Sequence, residues 1–315
     1  AQAVGGVKLR NDFYAAYNAK DWAKVNSSAT QLLASNQNDT AIALLAAWGN
    51  YQGLGTKNPA ATANDALNYA NKAFDLIQSG QEPKDASGAV SYAPFSSKDE
   101  AVASLNLEIG SLEAATNADD AMKRLVTVAQ GSTKAKEASN LYGNLGFLYE
   151  KQAAQLLEQY KAMIAAIPAT ETDESKLVPA KLVLANFNRV LDQAIDAYAR
   201  QAAYTTDATA KADVMKHLTE LYKSRHDNKT DGLDAYVAGI KNTPYTVSEP
   251  ITTLPATPAP GEGATTTNGT TNTPTAAPVA NPAMPTTNAT KPTTTTTTPA
   301  KTPAPSKKPP VSRYH

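Results

Sequence analysis

Apolar residues recur three and four positions apart through most of the first 240 or so residues, the spacing that lines up one face of an α-helix. This periodicity predicts ten helices, near 7–20, 22–35, 39–53, 62–79, 98–116, 118–130, 135–165, 177–204, 207–226 and 229–241. No stretch carries the two-residue alternation of a half-buried strand. The intervals hold the residues that stop helices: Gly53-Leu54-Gly55 with Pro59, Gly80 with Pro83, Pro94, Gly131, Pro168, and Pro244 just beyond the last helix. Asn38-Asp39 and Thr206-Asp207 offer side-chain acceptors where helix N-caps are needed. The fold class is all-α.

The helical pattern ends at residue 242. In 243–255 the apolar residues Tyr245, Val247, Ile251 and Leu254 recur along what reads as an extended chain. Such a strip can dock by pockets for alternate side chains, on its own body or on a neighbouring subunit, or simply cover the last helix pair as a linker. From 256 to 315 the chain is almost wholly Thr, Pro, Ala and Asn, with Thr293 to Thr298 unbroken. That composition has too little apolar surface to offset chain entropy. It favours an extended, polyproline II-like tail and is associated with O-glycosylated stalks. Candidate modified residues are Thr265, Thr266, Thr267, Thr270, Thr271, Thr293, Thr294, Thr295, Thr296, Thr297 and Thr298, with Asn268 and Asn288 in Asn-linked acceptor patterns. The predicted organisation is an extended N-terminal segment 1–6, a helical domain 7–242, the strip 243–255 and the tail 256–315.

Composition narrows the function. The chain opens Ala1-Gln2-Ala3 without an initiator Met, as expected of a mature form after signal-peptide removal, and no apolar run is long enough to span a bilayer. Cysteine is absent, which excludes disulfides, thiolate metal sites and Cys nucleophiles. Lys plus Arg number 29 and Asp plus Glu 29, so there is no net field to collect phosphates, and nucleic acid is not an expected partner. These features point to an exported protein outside the cell or on its surface.

Catalytic motifs are sparse. None of the three histidines, His217, His226 and His315, stands in H-E-x-x-H, and all three read as surface residues. Gly53-Leu-Gly55 lacks the strand and the Lys of a phosphate loop, so it reads as a turn. Asp119-Asp120 and Asp173-Glu174 are sequence neighbours that point in different directions on a helix, which suits capping and solubility better than acid–base chemistry. No G-x-S-x-G elbow is present. The expectation is a protein without a cofactor, a metal site or an enzymatic activity.

Several segments carry residues at the positions of the tetratricopeptide pattern, W-x-x-L-G-x-x-Y followed by A-x-x-x-F and a closing Pro. The best match is Tyr142-Gly-Asn-Leu145-Gly146-Phe-Leu-Tyr149, and Trp48 with Tyr51 stands in a second first-helix segment. Ala66, Ala70 and Ala73, then Ala194 and Tyr198, then Gly232 and Tyr236 fit the second helix of a pair. The body therefore resembles the tetratricopeptide repeat family. The resemblance implies a solenoid of helix pairs in which small residues, Gly146 among them, admit close helix approach while larger ones wedge the pairs apart. Spacing is irregular, with insertions at 81–98 and 169–176, and an irregular helical bundle is the alternative.

Helix-pair arrays stack in one dimension and leave a concave face and two open ends, a geometry that binds peptides or builds polymers. With the tail, the whole chain resembles the subunits of glycan-coated extracellular filaments built from tetratricopeptide-like proteins. The expected function is that of a structural subunit whose partners are copies of itself and the sugars on its tail. A monomeric envelope adaptor with a wall-spanning tail is the alternative, and a glycan-active enzyme stands third.

Overall fold

The structure is a computed structural model and describes residues 2–54 and 62–254. The tail 256–315, with all its candidate glycosylation residues and His315, lies outside the described residues. So do Gly55 and Pro59 in the first predicted stop. Ten α-helices are present among the described residues: α1 Gln2–Asn18, α2 Trp22–Ser35, α3 Thr40–Leu54, α4 Ala63–Gln78, α5 Lys98–Glu113, α6 Ala118–Gln130, α7 Ser139–Ala165, α8 Val178–Tyr204, α9 Ala208–Arg225 and α10 Leu233–Gly239. Short 3-10 turns at Lys134–Glu137, Glu174–Leu177 and Ile240–Asn242 lead into or out of them. The described residues form no strand, and one isolated antiparallel bridge joins Lys84 to Val90.

Local chemistry accounts for where the helices begin. Asp39 Oδ1 accepts from the Ile42 amide at 3.2 Å and Asp207 Oδ1 from the Ala210 amide at 2.8 Å, the N-caps expected of these residues. Thr62 and Asp65 close a reciprocal capping box at the start of α4. Ser97 caps α5 through the Glu100 amide.

Two expectations need correction, and one stop carries a second duty. Residues 2–6 are the first turns of α1 and not an extended segment. Gly53 is the penultimate residue of α3, which ends at Leu54 within the predicted stop. A Cβ at Gly49 or Gly53 would stand 3.1 Å from the Trp22 indole, so glycine lets that ring lie close against this side of the helix. Gly232 is not a packing residue within a helix. It precedes α10 with φ of +84°, a left-handed conformation that glycine adopts at no steric cost.

Each helix from α1 to α9 packs on its sequence neighbour, most extensively α7 on α8, and α10 returns to α8. The buried side chains follow the same order. One cluster runs from Phe13 to Ile109 across α1–α5, a second from Leu107 to Ala197 across α5–α8 and joined by Tyr245, and a third from Leu191 to Ile240 across α8–α10. Alanine permits close approach throughout, since Ala66, Ala70, Ala73 and Ala194 have no exposed surface. Tyr142, Leu145, Tyr149 and Tyr198 are buried as well. Trp48 and Tyr51 are partly buried, Trp48 meeting Phe95 edge to face at 5.3 Å.

Candidate peptide-docking site

Helix α8 carries Asn186, Arg189, Gln193, Asp196 and Arg200 at alternating intervals of three and four, so all five share one face. The strip that follows α10 lies on this face. Thr243 is extended, with φ −107° and ψ 137°, as expected of a residue that Pro244 keeps out of the helical region. The chain then runs antiparallel to α8, passing Arg200 at its start and Asn186 at Ile251. Eight extended residues advance roughly 26 Å. Fourteen helical residues rise about 21 Å, so the two nearly keep step.

The grip is largely on main chain. Arg200 donates to the carbonyl oxygens of Thr243 at 3.0 Å and Pro244 at 3.2 Å. Arg189 donates to the Ser248 carbonyl at 2.6 Å. Asn186 is bidentate, donating Nδ2–H to the Ile251 carbonyl at 2.8 Å while its Oδ1 accepts the Ile251 amide at 2.9 Å. Gln193 Nε2 adds a long bond of 3.5 Å to the Ser248 hydroxyl.

One side chain anchors the strip. Tyr245 is 5% exposed, and its hydroxyl lies 3.0 Å from that of Tyr149 on α7. Its ring leans on Tyr142 at 5.9 Å, and the Arg200 guanidinium sits over both rings, 5.4 Å from Tyr245 and 5.9 Å from Tyr142. Burial, then the neighbouring Tyr149, raises the Tyr245 phenol far above its usual range, and burial raises Tyr142 to about 12. Both therefore stay neutral. Burial opposes the charge on Arg200, and Asp196, bonded to its Nε at 2.9 Å, outweighs it. Asp196 also accepts from Tyr236 at 3.2 Å, so Tyr236 braces this ion pair from an exposed position on α10 instead of wedging a repeat.

Of the strip residues singled out by sequence, only Tyr245 is buried. Val247 is 38% exposed, and Ile251 and Leu254 are partly exposed. The receiving row on α8 was not singled out. Its only sequence signal is five polar residues on one stripe of a helix that is otherwise apolar enough to be core.

Two further polar constellations lie between helices. Glu108 on α5 has 1% of its surface exposed, and neither carboxyl oxygen has a hydrogen-bond partner. Burial raises its pKa to about 8. Nearby, Tyr51 accepts from Asn140 at 2.9 Å, and Asn144 donates to Ser111 at 2.8 Å, tying α3 and α5 to α7. The second constellation gathers Glu150 of α7, Tyr198 of α8 and His217 of α9: Tyr198 donates to Glu150 Oε2 at 2.6 Å, and His217 Nε2 lies 3.0 Å from the same oxygen. His217 is thus on the surface as expected, but bound. His226 stacks on Tyr222 at 4.0 Å. Asp120 pairs with Arg124, and Asp173 accepts the Ser175 amide, the capping and surface duties read for them. Among the described residues no three His, Asp or Glu side chains gather as a metal site, and no helix is long and apolar enough to cross a membrane. No family model matches the chain, and comparison with curated proteins and with solved structures finds no match.

Proposed function

We propose that the chain is a non-enzymatic structural subunit that assembles with copies of itself outside the cell, its body a tetratricopeptide-like array of helix pairs and its Thr/Pro-rich segment a glycan-bearing coat. The observation that carries this reading is the seat of residues 243–254 on α8. The Thr/Pro-rich segment thereby starts from a fixed point on each helical body, with Tyr245 buried at its root. Repeating the body in a polymer repeats that root at regular intervals, which a uniform coat requires. The consecutive packing of α1 to α9 supports the array. So does the contact of Gly146 with Tyr198, the one read as a first-helix residue and the other as a second-helix residue of the repeat pattern.

The test is electron microscopy of the natively produced protein, with mass spectrometry of residues 256–315 from the same preparation. Regular filaments with sugar-bearing Thr support the proposal. Dispersed particles with unmodified Thr overturn it and favour the second reading, a monomeric adaptor whose tail is a spacer. That reading draws its support from the same strip being held within one chain.

A further inference from the structure

We infer that the α8 row of Asn186, Arg189, Gln193 and Arg200 is a receptor for an extended segment of a second copy of this chain, and that residues 243–254 are the segment exchanged. The inference rests on the self-assembly proposed above and names its contact.

Three features of the seat lead to this partner. First, Asn186, Arg189 and Arg200 bind carbonyl and amide groups of the strip, and main-chain recognition does not depend on which molecule supplies the strand. Second, the one side chain with a fitted place is Tyr245, between the Tyr149 hydroxyl, the Tyr142 ring and Arg200. The occupant that matches both the main-chain row and the tyrosine place is therefore another 243–254. Third, Thr243 is extended and Pro244 favours that conformation whether or not α8 lies beneath it, so the strip is directed out of the helix at its first residue.

The contacts made within one chain and between chains are the same, so their balance depends on concentration. Within one chain the strip sees a fixed effective concentration; between chains it sees that of the other copies, and crowding of subunits favours exchange. Val247 remains 38% exposed on the seated strip and offers a neighbouring body apolar surface to cover. Each body would give one strip and receive one, a head-to-tail contact that grows into an open chain unless its rotation closes a ring.

The absence of cysteine makes the test direct. Full-length Gln193→Cys and Ser248→Cys variants, whose parent side chains lie 3.5 Å apart in the seat, are mixed at high concentration and oxidised. Helical circular dichroism and Tm matching the parent establish that each is folded. A disulfide-linked dimer that forms in the mixture, is absent from either variant alone, and is lost when the Gln193→Cys copy also carries Asn186→Ala and Arg189→Ala, is the expected result. The double variant Q193C/S248C, oxidised when dilute, closes on itself and verifies the geometry. If it closes while the mixture gives no dimer beyond the single variants, exchange is overturned. Electron microscopy of the closed double variant separates this inference from the function it rests on. Filaments built from strips locked within their own chains overturn exchange and leave assembly standing, whereas absence of filaments from the parent protein overturns assembly itself.

Discussion

Gly146 on α7 lies so close to Tyr198 on α8 that a Cβ at position 146 would stand 2.6 Å from Tyr198 Cζ. The ring cannot step aside freely, because its hydroxyl is bonded to Glu150. Gly146→Ala should destabilise the protein by about 1–3 kcal/mol through overpacking, despite the better helix propensity of alanine. Gly239→Ala, at a helical position with no heavy atom near the added Cβ, should be neutral or stabilising by up to about 1 kcal/mol. Urea unfolding of the two variants against the parent measures both, and equal effects would remove the close approach as the reason for glycine at 146.

The same pair illustrates what sequence could reach. Helix identity and most boundaries follow from local periodicity and caps, and α2 and α6 fall where their apolar spacing places them. Gly146 and Tyr198 were each legible as packing residues because repeat spacing marks them. Glu108 stands three residues after Leu105 and seven after Ala101, on the face that buries both, so its burial was available from the period alone. The α8 row was not, since its partner lies 43 to 65 residues further on and the recognition is of main chain, which leaves no complementary pattern in sequence. Gly53 was legible as part of a stop, and α3 ends one residue later, but its close approach to Trp22 was not, because that ring comes from another helix.

Glu108 makes stability depend on pH. Burial raises its pKa in the folded protein from 4.5 to about 8, and Tyr17 and Tyr51 are the titratable groups it influences. An acid that holds its proton when folded and loses it when unfolded weakens the fold as pH rises from 4.5 to about 8. At about 1.4 kcal/mol per pH step, the loss is on the order of 5 kcal/mol. Glu108→Gln, which cannot ionise, should remove that decline, leaving the variant more stable than the parent above pH 8. Chemical denaturation from pH 5 to 9 reads the slope directly, and parallel curves for parent and variant would show that Glu108 does not titrate in this window.

His217 and Glu150 add a smaller dependence at the α9 contact. The hydrogen bond to Glu150 raises the His217 pKa above 6.5 against the opposing effect of burial. Burial alone would raise Glu150, but hydrogen bonds from His217 and Tyr198 lower it below 4.5. Stabilisation by the charged histidine is therefore complete below pH 6.5 and fades as pH rises through the folded-state value, while the carboxylate contribution fades as pH falls below 4.5. His217 is 46% exposed and Glu150 30%, so the pair is worth no more than about 1 kcal/mol. His217→Gln should flatten the part of the profile above pH 6.5 that Glu108→Gln leaves. Titration of the His217 ring by NMR checks the direction, and an unshifted midpoint would dismiss the ion pair.

Tyr245 separates stability of the strip from stability of the body. Its ring is buried by residues of α7 and α8, yet the strip it anchors is otherwise held by four polar side chains at a partly exposed surface. Tyr245→Phe keeps the ring and strands the Tyr149 hydroxyl, and should cost about 1–3 kcal/mol. Tyr245→Ala removes the anchor, and the strip should then release as a unit while the helices stay folded, because local segments open at less free energy than the whole. The Ile251 amide, bonded to Asn186, reports that release. In Tyr245→Ala its hydrogen exchange should accelerate toward the unprotected rate while amides in α3 and α5 keep their protection. If α3 and α5 lose protection together with Ile251, the strip is an integral part of the core and not a ligand of it, and a segment so integrated could not be handed to another copy without unfolding its own body.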